Sequence, residues 1–171
     1  MGQTLISAGL IVIVTIAVIN ANRLVINSQT TKLEAQARLE ASDLAMEIIT
    51  EARTKLYDEK VDGTDWQDVS EFTESSKLGR DGSGETFTLP DVEPYQSRSR
   101  YDDFDDYKGY LRNASSSSLS GYSVSVDVFY VTRTSPDTRT SNRTYLKKMT
   151  VYVTHPLYLR DTLRISMTKT H

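Results

Sequence analysis

The sequence predicts an α+β fold, a long N-terminal helix laid on a C-terminal antiparallel sheet. Three observations carry this expectation. An apolar run from Leu5 to Ile19 passes without proline into an amphipathic pattern. Leu33, Ala37, Ala41, Leu44, Ile48 and Ala52 recur at intervals of three or four, which is one stripe of a helix. The last fifty residues alternate with period two, which marks strands with one buried face.

The helix is expected over residues 3–60, apolar in its first half and amphipathic in its second, with Gly63 beyond its end. Lys32, Glu34, Arg38, Glu40, Asp43, Glu47 and Arg53 fall on its other faces. A helix from Leu5 to Tyr57 is about 80 Å long at 1.5 Å per residue. A small domain cannot cover such a rod, so lipid or other subunits must shelter its first half. The apolar core is shorter than the roughly 20 residues of a standard span. It reaches that length only by including Asn20, Asn22 and Arg23. Such polar groups are costly on a lone lipid-facing helix and are better tolerated among packed helices. No Lys or Arg precedes the run, unlike a secretory signal peptide. An ordinary signal anchor remains the plain alternative.

A β-rich head is expected over 61–171, with a connecting loop at 61–121 and strands near 122–132, 144–154 and 162–169. Tyr122, Val124, Val126, Val128 and Tyr130 share one face of the first strand. Tyr145, Met149, Val151 and Val153 form a second series, and Leu163, Ile165 and Met167 a third. Ser135-Pro136-Asp137 and His155-Pro156 read as turns between them. These strands form a meander whose apolar face the helix covers. Val61 to Gly84 reads as polar connecting loop, with Trp66 and Phe72 packing on the helix flank.

Composition excludes several function classes. The net charge is −3, without the basic excess of a nucleic-acid binder. Cysteine is absent, which excludes disulfides and thiolate metal sites. The two histidines, His155 and His171, form no catalytic constellation with a nucleophile and read as surface groups, so an enzyme is not expected. Gly79, Gly82 and Gly84 lack the Lys-Ser/Thr of a phosphate loop. Asn113-Ala114-Ser115 and Asn142-Arg143-Thr144 match the glycosylation sequon, and Ser115 to Ser118 reads as flexible loop. Arg133 to Arg143 reads either as a hairpin loop or as an outer-surface patch.

Asp102, Asp103, Asp105 and Asp106 alternate with Tyr101, Phe104, Tyr107 and Tyr110 in a short span. Two readings compete. The aromatics anchor an irregular loop and leave the carboxylates solvated, or the carboxylates converge on Ca²⁺, which takes six to eight oxygens. The spacing does not follow an EF-hand loop. No other cofactor is expected.

Gly2-Gln3-Thr4-Leu5-Ile6-Ser7 resembles the processing junction of type IV pilins and type II secretion pseudopilins. Asp102 to Tyr110, followed by Gly121-Tyr122-Ser123-Val124-Ser125-Val126, resembles minor pilin-like proteins of the mannose-sensitive haemagglutinin type. The resemblance spans the N-terminal helix and the second half of the chain, and it implies a lollipop-shaped filament subunit. It implies cleavage after Gly2 by a prepilin peptidase, leaving Gln3 first. Two departures qualify this. Ser7 stands where the family usually has Glu, which points to a minor subunit. Only Met1 and Gly2 precede the junction, where family leaders are longer and basic, so these two read as a vestigial leader. The implied path runs from the inner membrane, through the pilus assembly machinery, to a surface filament built of copies of itself. The residues expected in the filament core are Leu5, Ile6, Ser7, Leu10, Ile13, Ile16 and Ala17. Gly9 would allow close helix approach, and Arg23 would pair with an acidic neighbour. The alternative is a monomeric membrane-anchored domain that binds a ligand outside the cytoplasm.

Overall fold

The computed structural model describes residues 2–60, 68–82, 84–85, 90–92, 95–116 and 118–171. One helix, α1 (Gly2–Thr54), packs on a five-stranded antiparallel sheet. The strands are β1 (Leu111–Ser115), β2 (Ser120–Thr132), β3 (Ser135–Thr140), β4 (Leu146–Thr154) and β5 (Leu163–Thr170). Their order is β1-β2-β4-β5, with β3 pairing β2 beyond β1. The expected α+β architecture, with its meander of three long strands, is what the chain forms.

Only the second half of α1 touches the head. Ala37, Ala41, Ala45, Ile48, Ile49 and Ala52 are buried against the sheet. Four alanines at this seam let the helix backbone approach closely. Tyr122, Val124, Val126 and Val128 of β2 and Met149, Val151 and Val153 of β4 meet them, flanked by Leu163, Ile165 and Met167 of β5. Period 3.6 on the helix and period 2 on the strands therefore close one core.

The helix stops at Thr54, not near Lys60 as expected. The backbone N–H of Leu56 leaves the helical ladder and donates to the carbonyl of Asp102 at 3.1 Å. Beyond it, the expected loop 61–121 is more ordered than its composition implies. It holds short 3₁₀ turns at Val69–Glu71, Arg98–Arg100 and Asp105–Tyr107, and then β1. Phe72 and Leu78, inside the segment expected to be loop rather than core, build a second buried cluster with Tyr57 and Tyr130. The Phe72 ring lies 5.2 Å from that of Tyr57 and 5.5 Å, edge-on, from that of Tyr145. Trp66 and Gly63 lie outside the described residues.

Two turn assignments shift. Ser135-Pro136-Asp137 begins β3, and the reversal sits at Arg133 and Thr134. Proline is tolerated there because β3 is an exposed edge strand. His155 is buried, not a surface group. Its Nδ1 accepts from the backbone N–H groups of Leu157 and Tyr158, each at 3.2 Å, which leaves Nε2 to donate to the Ser120 carbonyl at 3.1 Å. The ring thus ties the β4–β5 connection to the start of β2. His171 is exposed, with its ring 5.3 Å from that of Phe72.

Candidate functional site

Two regions carry the functional expectations: the leading half of α1 and the acidic segment beneath the helix end. The leading half is naked. Ile6, Leu10, Ile13 and Ile16 are each more than half exposed, and Ala17, Gln3 and Gly2 are exposed as well. Met1 and the Leu5 side chain lie outside the described residues. Gly9 has open space around it. Ser7 Oγ donates to the Gln3 carbonyl at 3.0 Å, and Thr15 Oγ1 to the Ile11 carbonyl at 2.8 Å. These hydroxyls are satisfied within the helix and leave its surface effectively apolar. By length and composition the helix can cross a membrane, and the qualifying stretch is wholly unburied. Arg23 is exposed on it.

The acidic segment is anchored by its aromatics as the first reading expects, but its carboxylates are not left solvated. Tyr101, Phe104, Tyr107 and Tyr110 do anchor it in the core, but Asp103, Asp105 and Asp106 are buried with them. Only Asp102 is exposed. Nor do the four converge as one ligand set, because each buried carboxylate is committed elsewhere. Asp103 accepts from the amides of Glu59, Asp105 and Asp106 at 2.7–3.1 Å. Asp106 accepts from the amides of Asp102 and Asp103 at 3.0 and 3.2 Å. Asp105 takes an ion pair from Lys147 and the Gly79 amide at 3.2 Å.

Lys147 was missed because its place in β4 is polar in an otherwise apolar series. It points inward, fully buried, and its Nζ also meets Asp58 Oδ2 at 2.9 Å and the Tyr57 carbonyl at 2.7 Å. One ammonium thus faces two carboxylates. Burial opposes ionisation of Asp58, but the charge of Lys147 and the bonds from Thr73 outweigh it and hold this group below its usual range. Burial pushes Asp103 up to about 9, with the charge of Asp105 second. Burial likewise pushes Asp106 up to about 7. Glu59 reaches about 7, first through its hydrogen bond with Asp81.

Among the described residues, the one carboxylate group that could hold a metal ion is Asp81, Glu85 and Asp106. Their oxygens lie within 4.8 Å of one another. Of the four aspartates expected around Ca²⁺, it contains Asp106 alone.

Two further arginines, unremarkable in the sequence, clamp this segment to the helix. Arg98 pairs with Glu47 at 2.6 Å and Glu51 at 3.0 Å, and the buried Arg112 pairs with Glu47 at 2.9 Å. The guanidinium of Arg112 stacks 4.2 Å from the ring centre of Tyr95. The segment is therefore a structural keystone where helix end, loop and sheet meet. Asn113 and Asn142, the two sequon asparagines, are both exposed. No known protein family, curated protein or solved structure matches this chain.

Proposed function

We propose that this chain is a structural subunit of a type IV pilus-like extracellular filament. The leading half of α1 rests in the inner membrane before assembly and then packs with copies of itself, leaving the β-rich head outermost. One observation carries the reading. The head covers α1 only from about Leu33 onward, so a long apolar half-helix stands without partners. Burying that surface among sister helices is favourable at roughly 25 cal/mol per Å². Ile6, Ser7, Gly9, Leu10, Ile13, Ile16 and Ala17 are its contact residues. A prepilin peptidase acting between Gly2 and Gln3 fits the same reading.

Electron microscopy and mass spectrometry of sheared surface material test this. Fibres that contain the chain are expected, and a mature terminus at Gln3 would establish processing. Chains found only as solitary molecules in membrane, in no fibre, would overturn the proposal in favour of a membrane-anchored binding domain.

A further inference from the structure

The outward face of the head-bound half of α1 has an unusual composition for a solvated surface. Leu39 is 65% exposed and Met46 is 47% exposed, and the exposed Asp43 lies between them. Lipid around the leading half would not reach this face, which lies alongside the sheet.

The leading half of the same helix carries a matching series: Ile19, Arg23 and Ile26. These residues precede Ala37, Ala41 and Leu44 by about five whole turns, so they share the side of α1 that faces the sheet lower down. Leu39, Asp43 and Met46 follow them by about five and a half turns and so point the opposite way. A second copy, oriented alike and slid about 30 Å along the axis, sets Leu39 against Ile19, Asp43 against Arg23 and Met46 against Ile26. All three contacts come at one offset, apolar on apolar and acid on base. Thr50 meets Thr30 at the same offset. Lys32 falls against Val12, where its flexible stem can lie on apolar surface with the ammonium displaced outward. Neither Arg23 nor Asp43 makes an ion pair among the described residues.

We propose that a second copy of this chain docks in this register, the outward face of one helix on the sheet-side face of the next copy's leading half, with Arg23 and Asp43 pairing between copies. The contact rests on the filament reading and specifies it. It joins two different surfaces, so repeating it builds an open array and not a closed dimer. It also gives Arg23 the partner that a charge among packed helices requires.

The chain has no cysteine, which permits a clean cross-linking test. Ile26→Cys is combined in turn with Leu39→Cys, Ser42→Cys, Met46→Cys and Thr50→Cys in the full chain, and intact cells are oxidised. The expected result is a ladder of covalent oligomers strongest for the Ile26→Cys, Met46→Cys chain. Within one chain those positions are about 30 Å apart, beyond disulfide reach. A ladder that peaks at another pair, dimers from Met46→Cys alone, or no ladder in any combination overturns the register. Micrographs of the same cells separate the two ideas. Fibres with the wrong ladder remove only the register, whereas neither fibres nor ladder removes the filament as well. As a second readout, Arg23→Asp or Asp43→Arg alone should lower fibre yield about tenfold, and the two together should restore it. Failure of the pair to restore fibres made by the parent chain overturns the ion pair.

Discussion

The Lys147 ammonium lies 2.9 Å from the Asp58 carboxylate with both side chains fully buried, joining the middle of the sheet to the segment just beyond the helix. Asp105 completes the pair from the other side. Removing one member of such a group strands the others in a medium that solvates charge poorly. Lys147→Met should therefore cost about 3–5 kcal/mol, read as a lowered unfolding midpoint of the full chain in detergent. Exchanging all three for apolar residues of similar volume should recover most of the loss. A single variant as stable as the parent would show that the cluster does not hold the head together.

The raised carboxylates make stability depend on pH in a definite direction. Asp103, at about 9, and Asp106 and Glu59, each at about 7, bind protons more tightly folded than unfolded. Their contribution is complete below the ordinary carboxylate range near 4 and is lost as pH rises through these values. Asp58 is depressed and acts in the opposite sense, its contribution disappearing as pH falls below that range. The head should accordingly be more stable at pH 5 than at pH 8. Asp106→Asn should flatten the decline below about pH 7 and leave the part contributed by Asp103 above it. Denaturant unfolding across that range measures both, and equal stability at pH 5 and 8 would contradict the assignment.

What the sequence conceals lies mostly where polar residues take core positions. The stripe from Ala37 to Ala52 and the alternation in β2, β4 and β5 are legible because apolar periodicity tracks burial there. Glu40 interrupts the stripe on paper, yet it is buried, taking hydrogen bonds from Ser118 and from the Tyr122 hydroxyl. Lys147 likewise breaks the pattern of β4. β1 is invisible because Arg112 supplies one of its inward positions, and β3 because Ser135 to Thr140 is polar and lies on an edge. The acidic segment reads as ligand or loop because spacing cannot reveal which backbone amides a carboxylate will meet. The proposed assembly face emerges only after burial separates the outward Leu39 and Met46 from the inward Ala41 and Leu44.

The Glu40–Tyr122 contact gives a local test of helix–sheet docking. The Tyr122 hydroxyl donates to Glu40 Oε2 at 3.0 Å across the seam. Tyr122→Phe keeps the ring and removes the donor, which should cost about 1.5–3 kcal/mol because the acceptor is charged. Amide hydrogen exchange in α1 around Ala37 and Ala41 should rise before that around Ile48 does. Uniform change along the helix would mean that the contact does not fix this end of the seam.

The alanine seam predicts an asymmetry between the two faces of one helix. Ala41 has no exposed surface and sits in the core between helix and sheet, so the larger side chain of Ala41→Leu should push the helix off the sheet. A cost of about 1–3 kcal/mol is expected from such overpacking, seen as a lower unfolding midpoint. Leu39, two residues earlier, is 65% exposed, so Leu39→Ala should change the unfolding free energy of the isolated subunit by no more than about 0.5 kcal/mol. The assembled state should reverse the ranking. In the proposed register Leu39→Ala removes an intersubunit contact and should reduce fibre yield, whereas any loss from Ala41→Leu should be recovered by conditions that stabilise the head. Measuring both variants as subunit and as fibre separates the face that folds the chain from the face proposed to join it to the next.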